Sequence, residues 1–314
     1  GEWELADALR VAKDILFLQG SLRTRNRPLT CGSFLSEDTR PRRLSLGVST
    51  VTMDYADAGF SRWLLHVANL EFEGSNSVIN FVENGELTHR GEGPLTYGRV
   101  TFGATGFISG YDNEGISIRS LFFQNSGTIL HTWQVDTLEL TAGYEYRWDV
   151  DNTLTLGKLI AEGDCDAYIS IRSTIDDEPA FVIADKPLSG SYLILKDIHG
   201  MLGAFEALSA LDLGNNRGWV FNSRGAGRTL YWVGGAGNWE DPAHWSLSSG
   251  GPGGECIPTP DDDVIFDAAS FDADGQTVFG WQVVEHYCRT MTWQNLAAAP
   301  VLGMATLQLF GSLE

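Results

Sequence analysis

The run ISIRSLFFQNSGTILHTWQVDTLEL, residues 116–140, decides the fold. Apolar and polar residues alternate along Ile116–Phe123 and again along Thr128–Leu140, the period-two signal of half-buried strands. Both strand-like runs close on a glycine, LFFQNSG at Gly127 and LELTAG at Gly143. Working outward, the same ending recurs in LEFEG (70–74), VTFG (100–103) and LIAEG (159–163). Successive terminal glycines, 74, 103, 127, 143 and 163, lie 29, 24, 16 and 20 residues apart. Coil lengths of about 16–29 residues match a parallel β-solenoid, in which each coil stacks on the last. A β-sandwich with ordinary turn glycines is the alternative. Short strands and few Asn-Gly or Asp-Gly hairpin turns favour the solenoid.

Further strand-like runs cover residues 44–53, 63–72, 77–82, 98–102, 153–160, 167–171, 180–183 and 192–195. Helical periodicity is nearly absent; only LGAFEALSALDL (202–213) has the pattern of one or two helical turns. The chain therefore reads as all-β. A single coil cannot bury its inner face alone. Stacking gives each backbone group a partner in the next coil, at about 4.8 Å per step.

The 314 residues are 43% apolar, enough for a sizeable core. No run of eighteen apolar residues occurs, so no membrane insertion is expected. Residues 1–20 lack the basic and small-residue pattern of a signal peptide. The net charge of −20 argues against nucleic acid and anionic membrane surfaces as partners and leaves carboxylates available for Ca²⁺. Two short basic clusters, Arg23, Arg25 and Arg27, then Arg40, Arg42 and Arg43, read as solvated loops.

A second informative stretch, Leu230–Asp267, packs three Trp, a Gly-rich run and an acidic run ahead of Val264-Ile265-Phe266. It looks like the opening of a module, three-quarters of the way along the chain. Trp232, Trp239 and Trp245 can cap an open solenoid end, burying about 150–250 Å² each. The alternative is an exposed aromatic platform that stacks sugars. Ahead of them, residues 222–229 read as a short linker between residues 1–221, the C-terminal part of one repeat unit, and residues 230–314, the start of the next. LFLQGSL (16–22) parallels LQLFGSL (307–313), as if both were the same early coil in successive units.

Several segments resemble the very large, repetitive, type IX-secreted cell-surface adhesins of Bacteroidota, related to gliding-motility adhesins. They are YWVGGAGNW (231–239), DPAHWS (241–246), IPTPDDDVIFD (257–267), SF (270–271), GQTV (275–278) and YCRTMTW (287–293). Looser matches are TCGSF (30–34), RLSLGVST (43–50) and GNNRGWVF (214–221), whereas residues 145–213 match least. The resemblance implies an extracellular, cell-surface protein whose neighbouring repeats are its first partners. Surface or cell-envelope glycans are further candidates, and gliding motility is an expectation for some members only.

Cysteine usage fits export. Cys256 and Cys288, 32 residues apart in the second unit, are one or two coils from each other and are expected to form a disulfide. Cys31 and Cys165, about six coils and ~30 Å apart, are not expected to pair.

No cofactor is expected, Ca²⁺ excepted. Asp261, Asp263, Asp267, Asp272 and Asp274, with Asp262, form an irregular Ca²⁺ candidate, set against an Asp-rich turn and strand start. Ser270, Asp272, Asp274 and Gly275 approach EF-loop spacing, but Ser opens it and Trp281 stands where Glu is required. His286-x-Cys288 has ligand-like spacing without further ligands, and His244 reads as a packed histidine.

No catalytic motif stands out, and the chain is expected not to be an enzyme. Asp149 and Asp151, on one strand face, and Asp176-Asp177-Glu178 are the rival carboxylate clusters for a polysaccharide lyase or hydrolase. Three readings stand: a structural and adhesive surface segment, a carbohydrate-binding module array, and a β-helix polysaccharide enzyme.

Overall fold

The computed structural model describes residues 1–55, 59–111, 115–222, 227–280, 286–304 and 306–314. Trp281 and residues 223–226 of the expected linker lie outside the described residues. The chain is a parallel β-solenoid. One sheet runs, in spatial order, from Glu2–Glu4 through Gly20–Arg23, Arg42–Ser45, Leu70–Phe81, Leu95–Phe102, Ile116–Phe123, Trp133–Leu140, Thr153–Ala161 and Ala180–Ala184 to Ile198–Leu202. A second, ten-stranded sheet faces it and runs from Ile15–Leu16 to Leu211–Asp212. Residues 1–222 pair in parallel throughout, among the described residues.

The true register is aromatic. Phe81 pairs with Phe102, and Phe102 with Phe123, a step of 21 residues each time. Their rings stack inside the solenoid with centroids 4.5 and 5.1 Å apart and near-parallel planes. Burying each Phe stabilises by roughly 1.5–3 kcal/mol, and a stacked aromatic pair adds about 0.5–1.5 kcal/mol. Four residues after each ring comes a glycine, Gly85, Gly106 or Gly127, and these three pair in turn with one another. The ring lies where a Cβ would go: at Gly106 it would meet Phe102 Cγ at 2.3 Å. Gly106→Ala is therefore expected to displace Phe102 and cost about 1–3 kcal/mol, read as a lowered urea midpoint with an unchanged slope.

This spacing corrects the one taken from the terminal glycines. Gly74 lies inside the strand Leu70–Phe81, and Gly127 opens a strand. The expected helical turns at 202–213 are also absent; Phe205–Leu208 and Leu211–Asp212 are strands. One member of the basic clusters departs from a solvated loop. Arg42 is buried, and its guanidinium donates to Ser36 O and Oγ and to the carbonyls of Arg40, His66 and Ala68 at 2.7–3.0 Å. It closes a corner by satisfying carbonyls that the turn leaves unpaired.

Residues 229–314 build a second, smaller solenoid. Thr229–Trp232, Asp263–Phe266 and Met291–Trp293 stack in parallel, as do Gly237–Asn238, Thr277–Phe279 and Val301–Gly303. Its core, centred on Leu230, Trp232, Trp239, Trp245, Phe266 and Val278, is separate from that of the first unit. Both Gly-Ser-Leu segments sit where the chain changes sheets. Gly20 opens a strand after Ile15–Leu16, and Leu313 bridges to Met291 after Leu307–Leu309.

Candidate functional site at the junction of the two units

The strand Ile169–Ser173 is buried at every position, so the usual alternation is lost. Ile169 and Ile171 face the first core, while Ser170 and Arg172 point outward and are nonetheless covered. Ser170 pairs with Ile194 and Ile194 with Leu211, so all three share the outer face. Ile194 and Leu211 pack with Tyr168 against Tyr287 and Ile257 of the second unit. The second solenoid thus lies side-on against the outer face of the ten-stranded sheet. Arg172, 4% exposed, donates to the Tyr287 hydroxyl at 3.2 Å and pairs with Glu145 at 3.4 Å.

A disulfide fastens this junction. It joins Cys165 of the first unit to Cys256 of the second, 91 residues apart in sequence. The expected Cys256–Cys288 bond is therefore overturned. Cys288 faces the core of its own unit as a free thiol, and Cys31 is likewise free and buried. Burial pushes both thiols up to about 12, nearby carboxylates adding to the effect. A disulfide of this kind fits an oxidising compartment. Among the described residues no helix is long and apolar enough to cross a membrane.

The Trp segment closes the start of the second unit. Trp245-Ser246 turns back antiparallel beside Tyr231-Trp232 and covers that strand's outer edge. Trp232, Trp239 and Trp245 are all 0–1% exposed. The Trp245 ring meets Trp232 and Trp239 edge-on at 5.0 and 4.7 Å. Its indole N–H donates to Trp239 O, and that of Trp232 to Gly235 O, both at 2.7 Å. His244 stacks flat on Trp232 at 4.6 Å and bonds Val233 O.

The Asp-rich stretch is engaged in turns and ion pairs. Asp262 takes Arg228 Nη2 at 2.8 Å and Nε at 3.1 Å, together with the Thr259 hydroxyl. Asp263 pairs with Arg289. Asp267 accepts from Ala269 N, Asp272 from Gln276 and Asp274 from Ala299 N. Among the described residues the structure does not gather Asp261, Asp263, Asp267, Asp272 and Asp274 into a ligating cluster. His286 does not join Cys288 in a site either; it faces Glu240 and Thr306 O.

Burial alone would raise the Asp262 carboxyl, but hydrogen bonds and charge from Arg228, with Thr259, hold it below its ordinary value. A carboxyl lowered on folding stabilises the fold above its unfolded pKa and loses that contribution as pH falls through the folded value. Arg228→Ala is therefore expected to destabilise the second unit by about 3–5 kcal/mol at neutral pH by leaving a buried carboxylate unpaired. The deficit should shrink toward pH 3, where Asp262 protonates in the variant. Denaturant melts at both pH values check this.

Asp149 and Asp151 do not share a strand face, because the strand ends at Trp148. Asp149 accepts from His131 N, Asn152 Nδ2 and the Thr174 hydroxyl, and Asp151 has a φ of 57° in the turn. Asp176 pairs with Lys196 at 3.1 Å, and that hydrogen bond lowers its carboxyl.

One feature escaped the sequence reading altogether. Between the units lies a cavity of about 310 Å³. Tyr144, Tyr168, Ile194 and Leu211 line it from the first unit, and Trp239, Ile257 and Tyr287 from the second. Asp166 and Ile257, each next to a bridged cysteine, also reach it. Glu240 and His286 form a polar corner, with His286 Nε2 2.6 Å from Glu240 Oε1 and Nδ1 3.0 Å from Thr306 O. Both ring nitrogens face acceptor oxygens, so the pair holds a proton on each nitrogen or one on the carboxyl.

Comparison of the chain with protein-family models, curated proteins and solved structures gives no match.

Proposed function

We propose that this chain is a structural and adhesive segment of a giant extracellular cell-surface protein. It sets length and bend between neighbouring repeats and contributes to attachment to surfaces or other cells. The observation that carries this reading is the junction: two solenoids fixed side-on by a disulfide, a buried Arg172–Glu145 pair and a small apolar core. Such joints suit a load-bearing spacer. The resemblance of residues 230–293 to type IX-secreted adhesins of Bacteroidota points the same way, with gliding motility among the activities it brings. Glycans of the cell envelope or of the colonised surface are the proposed adhesive partners. A sugar platform built on Trp232, Trp239 and Trp245 is not part of the reading, since those rings are buried.

Beads coated with the folded chain, driven by flow over glycan-bearing and cell-coated surfaces, test it. Retention above that of albumin-coated beads is expected. Equal retention on every surface overturns the adhesive part.

A further inference from the structure

The junction cavity has the composition of a ligand site rather than of a packing fault. Small-molecule sites are concave, largely apolar and provided with a few polar groups, typically in ~300–1,000 Å³. This cavity falls at the small end of that range, suited to a body of one ring and a short chain. Four aromatic side chains, Tyr144, Tyr168, Trp239 and Tyr287, supply its walls. Two carboxylate side chains, Asp166 and Glu240, reach it as well, and no lysine or arginine lines it among the described residues. The nearest buried cation, Arg172, is already held by Glu145 and the Tyr287 hydroxyl. Aromatic faces and carboxylates together favour a positive charge on an apolar body, through cation–π attraction and charge pairing. The net charge of −20 raises the local concentration of any such cation.

We propose that the cavity between the two solenoids binds a small organic cation, an ammonium carried on an aromatic or alkyl body. Its ammonium sits at the Asp166 and Glu240 end, and its apolar body lies among the four rings. Both units contribute walls, so the site exists only in the docked arrangement that the Cys165–Cys256 bond holds. This site is independent of the adhesive reading, because it concerns a small ligand at a joint and not a surface contact.

Calorimetric titration of the intact, disulfide-bonded chain with phenethylammonium tests the proposal, with 2-phenylethanol and phenylacetate as neutral and anionic probes of similar shape. One phenethylammonium is expected to bind, at least about tenfold more tightly than the alcohol, a gap within the range of a desolvated cation–π and carboxylate contact. Phenylacetate should bind more weakly than either. Glu240→Gln and Asp166→Asn should each narrow the ammonium–alcohol gap about threefold or more while leaving the alcohol's affinity in place, which a merely structural loss would not do. Asp166 is exposed, so its variant is expected to fold even if Glu240→Gln disturbs His286. Equal affinity for the ammonium and the alcohol would mark an apolar void and overturn the proposal, as would no binding of the ammonium.

Discussion

Trp245→Ala is expected to unfold the second solenoid while the first goes on melting much as before. Trp245 is fully buried, wedged edge-on between Trp232 and Trp239, and its strand blunts the edge of Tyr231-Trp232. Truncating a buried Trp costs about 3–5 kcal/mol. Losing its N–H also leaves Trp239 O without its donor, which adds about 1–3 kcal/mol. A whole domain is stable by only about 5–15 kcal/mol, so the loss falls on a unit that has little margin. The first unit has a separate and far longer core and does not share it. Calorimetry should show an early transition split from the main one, and limited proteolysis should cut within residues 230–314 first. A single transition at the unaltered temperature would contradict this account.

Reduction of Cys165–Cys256 is expected to have the next largest effect. In the chain-entropy treatment, closing a loop of about this length, 91 residues, stabilises by roughly 4–5 kcal/mol. The loss should be concentrated at the joint, because the bond fastens one unit to the other and lies outside both cores. Hydrogen exchange is the direct readout. Amides of Ile169–Ser173 and Leu193–Lys196 should exchange faster after reduction, and those of Ile116–Phe123 should not. Alkylation adds a chemical check: in the reduced, folded chain Cys165 and Cys256 should label first. Cys31 and Cys288 are buried and their thiols are pushed up to about 12, so they stay unreactive. Early labelling of Cys288 together with Cys256 would restore the pairing expected from sequence.

Much of the fold was legible in local pattern. Alternation along Ile116–Phe123 and Thr128–Leu140 marked real strands, since inward residues there meet a continuous core. The glycine spacing misled because glycines serve different ends here. Gly106 makes room for a ring, whereas Gly143 turns the chain at a φ of 82°. Register instead follows the Phe81–Phe102–Phe123 stack, a three-dimensional feature with only a faint trace in the spacing of identical residues. LGAFEALSALDL has helix-forming residues, but pairing to Leu188–Ser191 and Leu193–Lys196 overrides them.

The junction was harder to read because its partners lie far apart in the chain. Cys165 and Cys256 carry no mark that distinguishes their pairing from others. Asp262 and Asp263 looked like metal ligands, yet each is neutralised by an arginine from a distant segment, Arg228 and Arg289. One local signal was available. Tyr192-Leu193-Ile194-Leu195 is apolar without alternation, and such strands are covered on both faces. That run marks the outer face on which Tyr287 and Ile257 pack.

Side-on docking has a geometric consequence for any longer chain that repeats this joint. One fixed rotation and one fixed displacement, applied over and over, trace a screw. The end-to-end distance then grows by the advance per joint and not by the full length of each solenoid. Pitch and handedness are both set by which residues of one unit's flank receive the next. Moving that docking patch by one coil, with no change in either solenoid, would produce a spring of different pitch and stiffness.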